Sequence, residues 1–543
     1  MKLNKIEKLK QEFVPYDFYS RLPTLEWNNL SEADRFYLKN YGIYNIKLRP
    51  ENFMIRVRIG GGRISLMHLK VIVDTALKYD LDIVVTARAQ LELHGLSAQN
   101  VWEVWTHLDK FKIITLQTLT DNFRNIITDV YDGLRFESRV EVYPLIVQMQ
   151  TIFLAKKEWM GMLPRKFNTA ICGSEVSHMH FFGNDLFFAL AKKEEIWGFN
   201  VYVGGKNSAS AQCVDIFVLS EQVPAMFEAV AKAYSVYGSR ASRSKTRLYH
   251  LISEIGVAGF RAKIAEFFTD DLVSKGCYAI KKSSPSKVTM LKDGTKGVCI
   301  FSHFGKVDKS TLSQMIDMVN ENAAVRVGID QNFYLCGLRE EPFFETFEKV
   351  EGACEITACA GSRYCALSLW DIKEETAYLP LEMIAKYHIQ IGFSGCLKGC
   401  GRHHHCDIGL VGLRTNLFGE VQKAARVFLG GVYSREDARP ARLLYYVVPL
   451  VHLEALLKVI IEEFLVSGCN DFETFSRETL SGYSDSFLTM WFLAKLYLSE
   501  KITLSDTQER LYCRLLGIKS FPSYPDDIGY EETIRFLMHQ LWD

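Results

Sequence analysis

Residues Gly60–Leu96 read "GGGRISLMHLKVIVDTALKYDLDIVVTARAQLELHGL", and residues His303–Leu338 read "HFGKVDKSTLSQMIDMVNENAAVRVGIDQNFYLCGL". Each stretch has a glycine turn, then apolar residues at helical spacing, then an alternating strand that ends in His-Gly-Leu or Cys-Gly-Leu. Self-similarity at a fixed distance indicates a repeated supersecondary unit. The sequence therefore predicts two copies of one α/β unit.

A second pair of similar stretches follows the first pair. "FNTAICGS" at Phe167–Ser174 matches "FSGCLKGC" at Phe393–Cys400, and "VYVGG" at Val201–Gly205 matches "VFLGG" at Val427–Gly431. The order along the chain is A-B-A′-B′, and each copy is long enough to form two domains. This match sets Cys396 and Cys400 of the later copy against Ala170 and Ser174 of the earlier one. Since the shared fold does not need these thiols, packing alone is a poor explanation for them.

Composition excludes several classes of protein. The 543 residues include 64 Lys and Arg against 64 Asp and Glu, so the formal net charge is +0. That balance gives no reason to expect binding to nucleic acid or to a membrane. The amino terminus lacks the apolar core of a signal peptide, and the longest apolar run contains charges and Pro449. We expect a cytoplasmic protein, in which 13 cysteines do not indicate a disulfide scaffold.

Four cysteines form two spaced pairs. Cys359 and Cys365 are arranged C-x5-C, and Cys396 and Cys400 are arranged C-x3-C. Four thiolates from two loops can hold a [4Fe–4S] cluster, which needs one sulfur for each iron. Structural zinc sites, which more often use shorter C-x2-C knuckles, are the main alternative. Structural or redox-active cysteines are a third interpretation, and the nearby Cys354 and Cys406 complicate the choice of four.

The residues around these cysteines identify a family. "ACAGSRYC" followed by "SGCLKGCGRHHHCDIGLVG" resembles the signature of the sirohaem-binding nitrite and sulfite reductases, and "FMIRVRIGGGRIS", "TARAQLELHGL" and "LPRKFNTAI" stand in the family's order. The resemblance extends from Phe53 to Gly431. It implies an α+β fold with two ferredoxin-like half-domains, two sirohaem/Fe–S α/β domains and a helical C-terminal extension.

The resemblance also implies domain limits. Residues 1–150 are expected to form an N-terminal arm and the first ferredoxin-like half-domain, and residues 151–285 the first α/β domain, without cluster ligands. Residues 286–345 are expected to form the second half-domain, and residues 346–482 the α/β domain that carries the cofactor ligands. Residues 483–543 would be the helical extension.

Two cofactors and one reaction follow from the resemblance. Cys359, Cys365, Cys396 and Cys400 would bind a [4Fe–4S] cluster, and Cys400 would also be the axial thiolate of a sirohaem iron. A shared sulfur couples the two centres and leaves the other haem face open for a small anionic substrate. The family chemistry is the six-electron reduction of nitrite to ammonium or of sulfite to sulfide.

Anionic substrates and a cofactor with eight carboxylates need local cations in a globally neutral chain. By resemblance, the catalytic residues that face the substrate are Arg56, Arg124, Lys166 and Asn168. The residues expected to contact sirohaem are Arg58, Arg88, His94, Lys398 and Arg402. His403, His404 and His405 are expected to be a protonatable rim rather than a second metal site, because adjacent side chains of an extended segment point to opposite faces.

The choice of substrate depends on a departure from the sulfite reductase pattern. Many sulfite reductases have two lysines where this chain has Lys166 and Asn168, whereas plant-type nitrite reductases also have asparagine there. Nitrite is a monoanion and sulfite is mostly a dianion near neutral pH, so the lost cation favours nitrite slightly. A second departure is Val84, which stands where the family often has an arginine, and one cofactor contact is therefore expected to be missing.

Electrons are expected from another protein. The glycines at Gly60–Gly62 do not complete a G-x-G-x-x-G pattern, so no flavin or nicotinamide nucleotide domain is predicted. A ferredoxin or a separate flavoprotein is the expected donor. Two other functions are a non-catalytic Fe–S electron carrier, which would not need Arg56, Arg124 and Lys166, and a zinc-stapled structural protein, which would contain no iron.

Overall fold

The computed structural model describes residues 3–319, 323–340, 355–373, 378–416, 420–498 and 510. The chain divides into two compact units, which are Met1–Val350 with Tyr433–Ala438, and Glu351–Val432 with Arg439–Asp543. The predicted boundary between residues 345 and 346, Cys354 and most of the predicted C-terminal extension lie outside the described residues. The other domain limits stay predictions.

The first unit contains most of the secondary structure. Its strands are β1 (Ile43–Ile46), β2 (Arg49–Val57), β3 (Arg63–Ile64), β4 (Asp82–Val85), β5 (Leu91–Leu96), β6 (Phe123–Ile127), β7 (Phe167–Cys172), β8 (Val176–Ser177), β9 (Leu186–Lys193), β10 (Ile196–Val203), β11 (Gln212–Val218), β12 (Cys277–Tyr278), β13 (Lys281–Lys282), β14 (Val288–Met290), β15 (Lys296–Ile300), β16 (Lys306–Val307), β17 (Ala324–Val327) and β18 (Phe333–Leu338). Its α-helices are α1 (Lys5–Glu12), α2 (Glu32–Leu38), α3 (Leu66–Lys78), α4 (Val101–Lys110), α5 (Tyr143–Phe153), α6 (Val223–Tyr237), α7 (Leu248–Ala265) and α8 (Lys309–Met318). Short 3-10 segments lie at Pro15–Thr24, Lys39–Tyr41, Gly60–Gly62 and Ser220–Gln222.

The second unit has fewer described elements. Its strands are β19 (Ile356–Ala358), β20 (Ile391–Ser394), β21 (Ile408–Thr415), β22 (Gln422–Leu429) and β23 (Arg442–Pro449). Its α-helices are α9 (Leu381–Lys386), α10 (Leu450–Val466), α11 (Phe472–Glu478) and α12 (Asp485–Leu498), and a 3-10 segment lies at Leu480–Gly482.

The two stretches that define the repeat form two matching sheets in the first unit. The strand orders are β1-β2-β5-β4-β16 and β14-β15-β18-β17-β3. Each sheet is completed by a two-residue strand of the other copy, since Lys306 of β16 pairs with Val84 and Arg63 of β3 pairs with Arg326. Neither half-domain has a complete sheet without the other, so we expect the two to fold together.

The helices that follow these exchanged strands begin in the same way. Ser65 accepts a hydrogen bond from the His68 N–H at the start of α3, and Asp308 accepts one from the Thr311 N–H at the start of α8. Side-chain caps of this kind satisfy otherwise unpaired amides of the first turn. The two helices pack on each other, and the duplication predicted from the sequence is confirmed.

A second type of sheet occurs once in each unit. In the first unit the order is β11-β10-β9-β7-β6, and in the second it is β19-β20-β21-β22-β23. In both sheets the first three strands along the chain are parallel and the last two are antiparallel. Parallel strands present their carboxyl ends at one edge, which is where ligands bind in α/β sheets.

Strand register corrects one detail of the predicted repeat. Thr169 pairs with Leu186, which pairs with Val203, whereas Ile391 pairs with Ile408, which pairs with Leu429. If Val203 and Leu429 correspond, Thr169 corresponds to Ile391. The match of Phe167–Ser174 with Phe393–Cys400 is therefore wrong by four residues, because the turn between β21 and β22 is longer than the turn between β9 and β10.

Backbone hydrogen bonds of the loops support the corrected correspondence. The Arg139 N–H donates to the Gly173 carbonyl at 2.9 Å, and the Leu369 N–H donates to the Gly395 carbonyl at 3.1 Å. Both glycines are required by a close approach, since a Cβ atom on Gly173 would lie 2.0 Å from the Val140 oxygen and one on Gly395 would lie 1.7 Å from the Ser368 oxygen.

The loop after the first strand of each sheet repeats as well. The Ser138 N–H donates to the Arg135 carbonyl at 3.2 Å, and the Ser368 N–H donates to the Cys365 carbonyl at 3.0 Å. Together with the strand pairing, these bonds assign a counterpart to every cysteine of the predicted ligand set. The counterparts of Cys359, Cys365, Cys396 and Cys400 are Asp129, Arg135, Ser174 and His178.

Among the described residues, no helix is both long and apolar enough to cross a lipid bilayer.

Candidate active site

Arg56 lies on β2 directly opposite Glu92 on β5, and the two side chains form an ion pair. The second carboxylate oxygen of Glu92 lies 2.8 Å from Nε2 of His94. Burial acts to raise the pKa of Glu92, but the charge of Arg56 and the hydrogen bonds from His94 and Arg56 lower it to about 2. Glu92 is therefore a carboxylate, although its side chain is only 6% exposed. Sequence reasoning missed this residue, because a glutamate in a strand is not a motif.

Arg124 lies on β6 and is held by the carbonyl oxygens of Thr118 and Thr120. Burial lowers the pKa of its guanidinium well below the usual value. Three further positive charges act in the same direction, and they belong to Arg56, Arg165 and Arg88. Several cations therefore lie close together around Arg124.

Arg56 and Arg124 each have a buried side-chain nitrogen without a hydrogen-bond acceptor among the described residues. Nε of Arg56 and Nε of Arg124 are both buried, and neither has a partner within the part of the chain that the structure describes. Buried donors of this kind cost free energy unless something else accepts from them. Concentrated positive charge with open donors is suited to a small anion.

Arg58 has a different role from the one predicted. Its guanidinium donates to the backbone oxygens of Leu116, Gln117, Phe123 and Arg124 at 3.2, 2.9, 2.7 and 3.0 Å. Burial lowers the pKa of Arg58 to about 9. Because carbonyl groups take four of its five N–H donors, we reassign Arg58 from cofactor binding to support of the backbone around Arg124.

Arg88 joins the edge of the first half-domain to the adjacent sheet. It donates to Oδ1 of Asn184 at 2.8 Å and to the backbone oxygen of Asn125. The next residue, Ala89, has a φ of 51°, so the turn that presents Arg88 is backbone-constrained. Its charge acts on Arg124, which is consistent with the predicted location in the site.

Lys166 and Asn168 lie at the start of β7. Lys166 is half-buried, and the Asn168 N–H donates to Oδ2 of Asp185 at 2.9 Å. Arg247 holds the same carboxylate at 2.9 and 2.8 Å. Oδ1 of Asn168 is buried and has no hydrogen-bond partner within the described ranges. The strand therefore presents one cation and one neutral amide.

A buried ion cluster ties the segments of Arg124 and Lys166 together. Asp121 is fully buried and pairs with Lys10 at 3.0 Å, with Arg165 at 3.3 Å and with Arg243 through both of its oxygens. Lys10 also donates to the Leu163 carbonyl at 2.7 Å. Asp121 precedes Arg124 and Arg165 precedes Lys166, so this cluster fixes the spacing of two predicted substrate ligands. Sequence reasoning missed it, since Lys10 and Asp121 are far apart in the chain.

In the second unit, the cysteines lie at the carboxyl ends of two adjacent parallel strands. Cys359 follows β19 directly, and Cys396 follows β20 after one glycine. Cys365 and Cys396 are half-buried, and Cys400 is exposed. Four cysteines therefore lie in two loops at this edge, and their role as cluster ligands stays a prediction.

The thiol of Cys359 receives two backbone hydrogen bonds. The Gly361 N–H is 3.4 Å from the sulfur, and the Gly395 N–H is 3.1 Å from it. Lys373, which is buried, donates to the Cys359 carbonyl at 3.0 Å. Burial raises the pKa of Cys359 to about 12, and the neighbouring Cys400 acts in the same direction, against the two N–H groups. N–H donors aimed at sulfur stabilise the thiolate that a cluster ligand needs.

The same loop carries the cofactor cations predicted from the sequence. Lys398 is exposed, and Arg402 is half-buried with a φ of 58°. Cys406 is fully buried, and a Cβ atom on Gly392 would lie 2.8 Å from its sulfur, so this thiol packs against β20. Among the described residues, no group of three or more His, Cys, Asp or Glu side chains is placed so that it could hold a metal ion.

The histidine triplet differs from its predicted role. His403 is buried and hydrogen-bonds through Nδ1 to the Ser394 hydroxyl at 2.9 Å. Burial, assisted by the charges of His404 and His405, lowers the pKa of His403 to about 3. Nδ1 of His404 lies 3.1 Å from the Ala441 oxygen, and burial lowers its pKa too. The predicted protonatable rim is wrong for these two residues, which support the loop instead.

Comparisons with known proteins agree with this arrangement. Residues 46–111 match the family described as the nitrite/sulfite reductase ferredoxin-like half domain, and residues 119–271 match the one described as the nitrite and sulphite reductase 4Fe-4S domain. Both matches are to nitrite and sulfite reductases, so the family resemblance predicted from the sequence is confirmed. The predicted class of the chain, an oxidoreductase of this family, is confirmed. The 4Fe-4S match covers the first copy of the repeated sheet, where Asp129, Arg135, Ser174 and His178 replace the four cysteines.

Relatives with different names resemble this chain to a similar degree. A protein named ferredoxin–nitrite reductase from Synechococcus elongatus is 28% identical over 79% of this chain and 90% of its own length. One named sulfite reductase [ferredoxin] 2 from Mycolicibacterium paratuberculosis is 26% identical over 76% of this chain and 82% of its own. The solved structure of the NirA protein of Mycobacterium tuberculosis superposes with a TM-score of 0.76 at 21% identity, over 87% of this chain and 98% of that one. The predicted α+β fold is confirmed.

Proposed function

We propose that this chain is a sirohaem- and [4Fe–4S]-dependent reductase that converts nitrite to ammonium in a six-electron reaction. One observation carries the proposal: four cysteines lie in the two loops at the carboxyl edge of β19 and β20, while the equivalent loops of the other copy have none. In that copy, Asp129 accepts hydrogen bonds from the Ser177 hydroxyl at 2.6 Å and from the Tyr131 N–H at 2.8 Å. In the first copy, the position equivalent to Cys359 therefore holds a carboxylate that is hydrogen-bonded within the protein.

The second copy has the thiols that the cofactors need. Cys359, Cys365, Cys396 and Cys400 would hold the cluster, and the thiolate of Cys400 would also bind the sirohaem iron. Arg88, His94, Lys398 and Arg402 would bind the sirohaem carboxylates. When bound, the two groups supply the electron-transfer chemistry of the reaction.

The residues of the first unit would bind and orient the anion. The guanidinium groups of Arg56 and Arg124, each with a buried Nε that has no acceptor among the described residues, would hold the substrate oxygens together with the ammonium of Lys166. They would stabilise the charge that develops on those oxygens as N–O bonds break. Lys166, whose ammonium has three N–H donors, is suited to deliver protons to a departing oxygen. The buried cluster around Asp121 keeps these groups in place.

Nitrite is favoured over sulfite by the neutral Asn168, whose Oδ1 adds no positive charge beside Lys166. The relatives include both named nitrite reductases and named sulfite reductases, so sulfite reduction to sulfide is the second candidate. Electrons would come from a ferredoxin, as the names of these relatives state for them, or from a separate flavoprotein. The cytoplasmic location remains part of the proposal.

The test is anaerobic turnover of the purified holoprotein with reduced methyl viologen and then with reduced ferredoxin. We expect ammonium from nitrite at a higher kcat/KM than sulfide from sulfite. Asn168→Lys is expected to shift that ratio toward sulfite by about tenfold, since it adds one positive charge beside the anion. Sulfide as the faster product of the unmodified protein would favour the second candidate, and no product from either ion would contradict the proposal.

A further inference from the structure

We propose that Glu92 is a specificity-determining residue, whose carboxylate lowers the positive charge of the anion site so that the site prefers a monoanion such as nitrite to a dianion such as sulfite. The inference rests on the proposed function and assigns a role to a side chain that the sequence motifs do not mark. It follows from where Glu92 lies, what it contacts and how little solvent reaches it.

The position of Glu92 between two strands sets its partners. On one side its register partner on β2 is Arg56, with which it forms an ion pair. On the other side its register partner on β4 is Val84. Directly opposed residues of antiparallel strands are the closest cross-strand neighbours. Across the neighbouring strands, Glu92 therefore faces the cation of Arg56 on one side and an apolar side chain on the other.

The charge of Glu92 is only weakly screened because little solvent reaches its side chain. Side-chain exposure is 6% for Glu92 and 23% for Arg56. Water screens a pair in this environment much less than it screens a pair at the surface. The Glu92 carboxylate therefore offsets one of the cations that face the substrate, and it orients the guanidinium of Arg56.

A count of the facing charges shows the consequence. The predicted anion-binding cations are Arg56, Arg124 and Lys166. Asp121 does not reduce this set, because it is paired with Lys10, Arg165 and Arg243. Glu92 reduces it by one, and Asn168 adds nothing. A site with fewer net positive charges loses more affinity for a dianion than for a monoanion.

Other titratable groups on these strands must be kept constant in a test. His94 contacts Glu92 at 2.8 Å, Asp82 is the register partner of His94, and Lys306 on β16 is the register partner of Val84. All three groups stay the same when the side chain at position 92 is replaced by one that differs from glutamate only in charge. Glu92→Gln removes the charge at nearly constant shape, and Glu92→Asp keeps the charge and is the matched control.

The experiment measures kcat/KM for nitrite and for sulfite in the holoenzymes of the unmodified protein, E92Q and E92D. At pH values above the second pKa of sulfurous acid, E92Q is expected to shift the ratio of kcat/KM for sulfite to that for nitrite toward sulfite by about tenfold relative to E92D. At pH values below that pKa, sulfite carries one negative charge, as nitrite does, and the shift is expected to disappear. A residue that only supports the fold would not produce an effect that follows the charge of the substrate.

Calorimetric titration of the three proteins with nitrite and with sulfite provides a second measurement that does not need turnover. The ratio of the two dissociation constants is expected to shift as the kcat/KM ratio does. Equal losses for both ions in E92Q, or a shift of the same size at both pH values, would overturn the role of Glu92. A protein that binds both ions with the expected shift but forms neither ammonium nor sulfide would overturn the proposed function and keep this inference.

Discussion

The backbone N–H of Gly395 lies 3.1 Å from the sulfur of Cys359, so the loop after β20 is hydrogen-bonded to the first thiol of the loop after β19. These loops carry all four predicted cluster ligands, and the contact sets the distance between them. In the other copy, the carbonyl of the equivalent glycine, Gly173, accepts a hydrogen bond from the Arg139 N–H, as the Gly395 carbonyl does from the Leu369 N–H, but Asp129 stands in place of Cys359. The framework is therefore shared, and the ligands are specific to the second copy.

Gly395→Ala should prevent assembly of this site. A Cβ atom would lie 1.7 Å from the Ser368 hydroxyl oxygen, and overpacking of this kind costs about 1–3 kcal/mol of folding free energy. We expect the variant to lose iron and acid-labile sulfide together. The control is Gly482→Ala, where a Cβ atom would meet nothing within 4 Å. Full iron content in the Gly395 variant would contradict the predicted cluster position.

Cys400→Ser should uncouple the two cofactors, because this thiol is the one predicted to serve both. We expect loss of turnover and a changed sirohaem absorption spectrum. Cys469→Ser, at a half-buried free cysteine outside the two ligand loops, is the control and should leave both unchanged. Normal turnover by the Cys400 variant would remove this residue from the ligand set.

Lys166→Ala should lower kcat by about 100-fold or more while the cofactors stay bound, since the loss of one preorganised group that stabilises developing charge has effects of this size. Absorption spectra check cofactor content, and steady-state assays with nitrite check turnover. Lys156→Ala removes an exposed lysine ten residues earlier and should behave as the unmodified protein. If both variants keep full activity, Lys166 is not a substrate ligand.

Asp121→Asn should destabilise the first unit by about 3–5 kcal/mol, because it leaves Lys10, Arg165 and Arg243 without their common buried carboxylate. Burial acts to raise the pKa of Asp121, but Lys10, Arg243 and Arg165 lower it below the usual value. A carboxyl with a lowered folded-state pKa stabilises the fold above its unfolded-state pKa, and this contribution is lost as pH falls through the folded-state value.

The corresponding measurement is the free energy of unfolding by urea at several acidic pH values. The unmodified protein should lose stability as the pH falls, and Asp121→Asn should start lower and change less. Asp17→Asn, which breaks a solvent-exposed pair with Lys157, should alter the free energy of unfolding by less than about 1 kcal/mol. The same acid dependence in the Asp121 variant would exclude this carboxyl as its source.

Much of the fold could be predicted because repetition and periodicity are local properties of the sequence. The stretches at Gly60–Leu96 and His303–Leu338 reveal the duplication without any knowledge of contacts. The exchange of β3 and β16 between the half-domains could not be predicted, since a two-residue strand has no periodicity. The register error at Phe167–Ser174 has a similar cause, because a longer turn changes the repeat distance without leaving a sequence signal.

The candidate site divides in the same way. The cysteines and Lys166 stand in motifs, so their spacing alone predicts a site. Glu92 and Asp121 act through partners that are distant in the sequence, and only the fold brings those partners together. Arg58 shows the opposite error: it stands in a motif, but four of its five N–H donors are taken by carbonyl groups.

The most direct test of the account is the visible absorption spectrum of the anaerobically purified protein before and after addition of cyanide, with the iron content of the same sample. The protein should come from cells that synthesise sirohaem. We predict isobacteriochlorin-type bands that shift with cyanide, which would demonstrate a sirohaem with an open coordination position. We also predict an iron content that includes the cluster iron in addition to the sirohaem iron. A spectrum without those bands, or one of an Fe–S cluster alone, would contradict the reductase and leave a carrier or a structural metal site.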